Sequence, residues 1–169
     1  MKKTNRIRRA IKHEFYGPRR VRTLLPHASM LKIEAAIASG EALHGAELRF
    51  VIEASLDFAQ VWSRATPRER AMAIFSNLQV WDTEANNGIL LYVLMADQSV
   101  EIVADRAAMR AVPQSSWDEV CRRLAQAYRA RDYLNGTLGA IYEIHRLVEP
   151  HFPPATSNPD ELPNRPVII

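Results

Sequence analysis

The sequence contains an unbroken apolar run, Ile89–Met95, that follows a polar, turn-rich stretch. Such a run is typical of a central strand covered on both faces, and it is far short of the ~20 residues that span a membrane. The four residues Ala96–Ser99 predict a hairpin turn into another strand, Val100–Ala104. We therefore expect a sheet with a layer of helices on each face.

A further strand precedes this hairpin. In Glu47–Glu53 apolar residues alternate with charged ones, which is the period of a strand. Between the two strands, Thr66-Pro67-Arg68-Glu69 forms a capping box that predicts a helix to about Leu78, whereas Leu56–Trp62 fits a short strand or a loop. Three other helices are predicted, from about Ser29 to Gly40, from a capping box at Ser116–Glu119 to about Arg129, and from about Asp132 to Val148.

This order of elements predicts one α/β domain. A strand reached through a helix pairs in parallel with a right-handed crossover, whereas a hairpin pairs antiparallel. We expect a three-layer α/β/α sandwich with a small mixed sheet of three to four strands, and the apolar end Val167–Ile169 is a candidate edge strand. The domain would span residues 27–149, between a basic, helical arm at residues 1–26 and a proline-rich tail at residues 150–169 that packs on it.

Composition and charge limit the location and the partners. One cysteine excludes an internal disulfide and a cysteine-based zinc site. Without an apolar segment of membrane length or a secretory signal, a cytoplasmic protein is expected. Residues 1–22 carry nine Lys or Arg and one acid, a charge of about +8. This arm either covers the body with Ile7, Ile11 and Phe15, which we favour, or binds an anionic partner such as lipid or nucleic acid.

Polar side chains should converge at one edge of the sheet. The first and second strands start at this edge and the third ends there, while Asp97, at the hairpin tip, falls on the opposite side. Carboxylate and amide oxygens are hard ligands, so this edge is a candidate site for Ca²⁺ or Mg²⁺. The alternative is that these residues bond their own backbone in turns. The predicted metal ligands are Glu47, Asp82, Asn86, Asn87 and Asp105.

Other chemistry-bearing motifs are missing from the sequence. The five histidines form no HExxH motif, and the chain has neither a glycine-rich phosphate loop nor a nucleophile elbow. A kinase, a nucleotide-binding ATPase and a serine hydrolase are therefore disfavoured. We interpret His145 as a structural residue, His44 as a helix-end residue and Cys121 as a packed thiol.

Five parts of the chain match a known pattern: Glu41 with His44–Phe50, Arg68–Ala71, Val80–Val93, Val100–Arg106 and Asn158–Pro166. Together they resemble the TPM-domain family, also called the TPM phosphatase family. The central block, which contains Trp81-Asp82-Thr83-Glu84-Ala85-Asn86-Asn87-Gly88, is the most specific of them. The resemblance implies an α/β/α sandwich and divalent-cation binding, and for some members a phosphatase activity.

Three functions follow as hypotheses. The favoured one is a non-catalytic module that binds Ca²⁺ or Mg²⁺ and interacts with a protein or a phosphorylated ligand, because no complete acid–base–nucleophile set is visible. The second is a metal-dependent phosphatase that attacks phosphomonoesters with metal-activated water. Its candidate catalytic residues are Asp82, Asp105 and Arg106, the last as a phosphate clamp. The third is docking of the basic arm to anionic lipid or nucleic acid.

Overall fold

A computed structural model describes residues 3–63, 65–154 and 160–169, with side chains from residue 9 onward. These residues form eight helices and four strands, and none of the helices among them is both long and apolar enough to cross a membrane. In chain order the elements are α1 (Lys3–Glu14), α2 (Pro18–Leu24), α3 (His27–Glu41), β1 (Leu48–Glu53), α4 (Phe58–Trp62), α5 (Pro67–Asn77), β2 (Ile89–Leu94), β3 (Ser99–Ala104), α6 (Arg106–Ala111), α7 (Gln114–Arg129), α8 (Tyr133–Val148) and β4 (Val167–Ile168).

The four strands form one mixed sheet in the order β3-β2-β1-β4. β1 pairs in parallel with β2, with Leu48 opposite Ile89, and β2 pairs antiparallel with β3. The short strand β4 pairs in parallel with the other side of β1. The parallel pair follows from the helical connection between β1 and β2, and the antiparallel pair follows from the hairpin.

Helices cover both faces of the sheet, as predicted. One face, which includes Phe50 and Leu91, belongs to a core cluster that also contains buried residues of α3, α7 and α8. The opposite face, which includes Val51 and Leu90, packs with residues of α4 and α5. Every residue of β1 and β2 is buried. The predicted three-layer α/β/α sandwich is therefore confirmed.

Of the two capping boxes predicted from the sequence, one is present in the structure and one is not. The predicted box at α5 is present, because Glu69 N donates to Thr66 Oγ1 at 3.1 Å and Thr66 N donates to Glu69 Oε2 at 2.8 Å. The predicted box at Ser116–Glu119 is wrong. Helix α7 begins earlier, at Gln114, and Glu119 instead pairs with two arginines in the next turn.

Three other local features differ from the prediction. Leu56–Trp62 is neither strand nor loop but contains α4, which begins after a reciprocal capping box at Asp57. Helix α3 begins at His27, two residues before the predicted start at about Ser29. The short helix α6 was not predicted, and it begins after Asp105, whose carboxylate accepts from the first backbone N–H at 2.7 Å.

The arm is helical, and Val21 and Leu25 near its end are buried in the core, whereas α1 is tied to the body by polar residues. Arg9 donates to both carboxylate oxygens of Asp97, at 2.6–3.3 Å. The buried His13 lies 3.0 Å from Asp97 through Nε2, and its Nδ1 accepts from Leu56 N at 2.8 Å. These contacts anchor α1 at the β2–β3 hairpin.

Two of the three apolar residues predicted to cover the body, Ile11 and Phe15, do not do so. Ile11 is 54% exposed and Phe15 is 77% exposed. The side chain of Ile7 lies outside the described residues. The prediction failed because Arg9 and His13, on the side of α1 opposite Ile11 and Phe15, pair with the partly buried Asp97 on the body.

Candidate site at the acidic edge of the sheet

The candidate site lies at the edge of the sheet where β1 and β2 begin and β3 ends. Ile89 N donates to the Glu47 carbonyl at 2.8 Å, and Asp105 N donates to the Gly88 carbonyl at 2.8 Å. The tail joins this edge, because Leu162 N donates to the carboxylate of Glu47 at 3.1 Å. Strand direction therefore places the three segments side by side.

Three carboxylates meet here. Glu41 from the end of α3, Glu47 just before β1 and Asp160 from the tail each offer an oxygen, and these atoms all lie within 4.8 Å of one another. The two glutamates are buried, whereas Asp160 is exposed. Acids this close repel one another unless protons or a cation neutralise them, so the group is a candidate site for a divalent cation.

Burial and mutual repulsion set the protonation of these acids. Glu41 Oε1 accepts from Leu48 N at 2.7 Å. Burial, with added repulsion from Glu47 and Asp160, raises the pKa of Glu41 to about 8, and burial also raises the pKa of Glu47. The buried Arg49 is the local counter-charge; burial lowers its pKa, while Glu41 and Asp160 act in the opposite direction. At neutral pH the group therefore holds a proton that a bound cation would displace.

Two predicted ligands at this edge have buried oxygens without a hydrogen-bond partner among the described residues, namely Asn87 Oδ1 and Asp105 Oδ2. Asn87 is held in place because its Nδ2 donates to the Gly45 carbonyl and its backbone N donates to Thr83 Oγ1 at 3.1 Å. Asp105 uses its other oxygen to cap α6. Buried polar atoms are normally paired, so these two oxygens are positioned to accept a ligand.

The remaining predicted residues lie at the surface of the same edge. Asp82 is exposed, and the side chain of Arg106 is 76% exposed. Arg106 Nη2 donates to Asn86 Oδ1 at 2.8 Å. Asn86 has a φ of 52°, a left-handed conformation that asparagine tolerates better than most residues.

Gly88 allows the two ends of the segment between α5 and β2 to approach each other closely. A Cβ at Gly88 would lie 1.9 Å from the carbonyl oxygen of Val80. Its role is close packing rather than an unusual backbone conformation, since no glycine in the described part of the chain has a positive φ.

Two residues of the acidic group were not predicted as ligands. Glu41 lies in the last turn of a helix and Asp160 in a proline-rich tail, and neither belongs to a local motif with ligand spacing. The TPM resemblance was the sequence signal that could have indicated both residues, because the matching segments include Glu41 and the stretch Asn158–Pro166.

The other titratable residues considered in the sequence are packed in the core or partly buried. His44 Nε2 and His145 Nδ1 lie 2.7 Å apart, and burial lowers the pKa of each ring. Burial raises the pKa of Cys121 to about 12, so its thiol stays protonated at neutral pH, as expected of a packed thiol.

Comparison with known proteins agrees with this architecture. Residues 22–147 match the family described as TPM domain. The fold is similar to the NMR structure of the BA42 protein from the psychrophilic bacterium Bizionia argentinensis, with a TM-score of 0.75 and 24% identity over 86% of this chain and 95% of that chain. It is also similar to the N-terminal domain of the cg2496 protein from Corynebacterium glutamicum, with a TM-score of 0.52 and 12% identity over 71% of each chain. No curated protein matches the chain. Because the family match covers more than half of its residues, the chain belongs to the TPM-domain family.

Proposed function

We propose that this domain binds a divalent cation, Ca²⁺ or Mg²⁺, at the acidic edge of its sheet and acts as a non-catalytic interaction module. The observation that supports this proposal is the convergence of Glu41, Glu47 and Asp160 within 4.8 Å. Glu47 is also one of the ligands predicted from the sequence.

The donor set fits a hard cation. All three groups are carboxylates, and such oxygen ligands suit Ca²⁺ and Mg²⁺ better than softer metals. Asn87 Oδ1 and Asp105 Oδ2 would supply further oxygens at this edge, since both are buried and unpartnered within the described chain. Coordination positions that the protein leaves open would accept water or a carboxylate or phosphate of a binding partner.

Hydrolysis of a phosphomonoester is a second candidate function, and one observation favours it. Arg106 is exposed at this edge while its guanidinium is oriented by Asn86. It would clamp a phosphate beside Asp82 and Asp105 while a cation activates water. We rank this function second because the described residues at the edge include no paired nucleophile and base.

Adding Ca²⁺ or Mg²⁺ to chelator-treated protein should raise its melting temperature, because a ligand that binds only the folded state stabilises it. At ten times the Kd the gain is about 1.4 kcal/mol, or roughly 3–6 °C for a chain of this size. Glu47→Gln should abolish the shift, because it removes a ligand charge. Glu84→Gln is the matched control, since Glu84 is exposed at the same edge, and it should keep the shift. Thermal unfolding followed by fluorescence measures both.

Cation affinity should rise with pH. The pKa of Glu41 is raised to about 8 without a cation, so below that pH binding must expel its proton. Affinity should therefore fall about tenfold for each pH unit below 8 while this proton is the one displaced. Calorimetric titrations at several pH values measure this slope, and Glu41→Gln should flatten it.

Three results would change the assignment. A melting shift that survives both Glu41→Gln and Glu47→Gln would exclude the acidic group as the cation site. A shift that is lost in Asp105→Asn but kept in Glu47→Gln would move the site to the buried oxygens of Asn87 and Asp105. Turnover of p-nitrophenyl phosphate with Mg²⁺ that disappears in Arg106→Ala would replace the module by a phosphatase.

A further inference from the structure

The arm presents an apolar surface whose orientation is fixed. One side of α1 is tied to the body by Arg9 and His13, which contact Asp97 at the hairpin tip. Because that side is polar and inward, Ile11 and Phe15 on the other side are left 54% and 77% exposed. An amphipathic helix normally buries its apolar side, so this arrangement leaves apolar area available to a partner.

Exposed basic residues lie close in the sequence to these two side chains. Lys12 on α1 and Arg19, Arg20 and Arg22 on α2 are all exposed. The Arg20 guanidinium lies 4.6 Å from the centre of the Tyr16 ring, which holds this charge beside the end of α1. These positive charges would therefore attract a partner that carries negative charge.

The neighbouring helix α4 adds two aromatic residues. Phe58 and Trp62 stack at 5.6 Å between ring centres, and they are 67% and 51% exposed. Phe58 lines a cavity of about 300 Å³ together with Ala10 and Tyr16 of the arm. Phe58 therefore borders the arm, and the aromatic pair adds exposed apolar area on the neighbouring helix.

We propose that the surface formed by Ile11, Phe15 and the neighbouring basic residues docks on an anionic lipid membrane. Exposed Ile and Phe side chains enter the boundary between headgroups and acyl chains, while flanking Lys and Arg residues attract anionic lipids. Aromatic residues such as Trp62 are favoured at that depth. Nucleic acid would use the same positive charge, but an exposed aliphatic residue such as Ile11 gains nothing from a phosphate backbone.

Docking in this way leaves the acidic edge accessible. The arm is anchored at the tip of the β2–β3 hairpin, whereas the acidic edge lies where β2 begins and β3 ends. A six-residue strand separates the two ends by about 20 Å. The proposal goes beyond cation binding and does not depend on it.

Sedimentation of the full chain with lipid vesicles tests the proposal. The chain should bind phosphatidylcholine vesicles that contain about 30% phosphatidylglycerol at least about tenfold more strongly than pure phosphatidylcholine vesicles. Ile11→Ser with Phe15→Ser should weaken this binding at least about tenfold. Met72→Ser with Met109→Ser is the matched control, because these residues are 54% and 50% exposed on α5 and α6, and binding should not change.

A second variant keeps the test decisive if the serine variant melts at a lower temperature than the wild type. Arg19→Glu with Arg22→Glu changes only exposed charges and should also weaken binding to anionic vesicles. Absence of binding to anionic vesicles would overturn the proposal, as would an equal loss in the methionine control. Tight binding of a short RNA or DNA duplex that the Ile11 and Phe15 substitutions leave unchanged, without vesicle binding, would assign the arm to nucleic acid instead.

Discussion

Replacing Arg70 by alanine should destabilise the folded chain by about 3–5 kcal/mol. Arg70 Nε and Nη2 donate to both carboxylate oxygens of Glu53 at 2.9–3.1 Å, and the Tyr92 hydroxyl donates to the same carboxylate at 2.6 Å. Glu53 is only 3% exposed. Without Arg70 a buried carboxylate keeps one neutral donor and no counter-charge, which is a costly arrangement. Urea unfolding followed by circular dichroism measures the loss.

A matched substitution separates burial from simple loss of charge. Arg122 also forms an ion pair, with Glu119, but its side chain is 63% exposed. Arg122→Ala should therefore cost about 1 kcal/mol or less. Replacing the whole trio with Glu53→Leu, Arg70→Leu and Tyr92→Phe should recover most of the stability lost in Arg70→Ala, because no uncompensated charge remains. Equal losses for the two arginine variants would show that water reaches Glu53.

The network around Glu53 shows which part of the fold the periodicity of the sequence does not predict. Alternation in Glu47–Glu53 identified the strand correctly, but it gave no sign that the charged residues of that strand are buried. The partners of Glu53 are Arg70 on a helix and Tyr92 on the next strand, so the burial depends on tertiary contacts. A period of two identifies a strand, whereas the partners of its polar face come from elsewhere in the chain.

Helix ends show a similar limit. Thr66 was recognised as a cap because proline and glutamate follow at the preferred positions. Ser116 carries a comparable signal and is bypassed, because Pro113 already marks a start and the helix forms immediately after it. Asp57 opens α4 through a box completed by Gln60, a signal that the reading of Leu56–Trp62 as strand or loop overlooked.

The candidate site was predictable as a place but not as a complete set of residues. Strand direction was enough to bring the segments of Glu47, Asn87 and Asp105 to one edge. Glu41 and Asp160 reach it from a helix end and from the tail, and no pairing rule specifies those paths. The prediction that the apolar side of the arm covers the body failed for a related reason. The helical period of the arm is visible in the sequence, but the pairing of its polar side with Asp97 is not.

A pair of buried histidines should make the stability of the fold depend strongly on pH. The hydrogen bonds of the two rings fix their protonation. Ala46 N donates to His44 Nδ1 at 3.1 Å, so the proton of the neutral ring is on Nε2. That Nε2 donates to His145 Nδ1 at 2.7 Å. The rings fit because residue 40 is glycine, since a Cβ at Gly40 would lie 2.1 Å from the His145 ring. A further proton on either acceptor nitrogen would place two donors against each other.

Acid should therefore destabilise the fold through His145. Burial, together with the charge of His44, lowers the pKa of His145 to about 4, compared with about 6.5 in an unfolded chain. Because the folded pKa is the lower one, the unfolded chain takes up the proton first. Stability is present above about pH 6.5 and is lost as the pH falls toward about 4. Between about pH 7.5 and pH 5 the loss from His145 alone is about 2 kcal/mol.

Glu41 acts in the opposite direction, so the test must isolate the histidine. The raised pKa of Glu41 stabilises the folded chain as the pH falls below about 8. The useful quantity is the difference in unfolding free energy between the wild type and His145→Gln, in which the contribution of Glu41 cancels. This difference should shrink by about 2 kcal/mol between about pH 7.5 and pH 5, because only the wild type carries the titrating ring. The exposed His27 provides the control His27→Gln, whose pH profile should parallel that of the wild type. A cost of His145→Gln that stays constant with pH would mean that the ring is already charged, or reached by water, in the folded state.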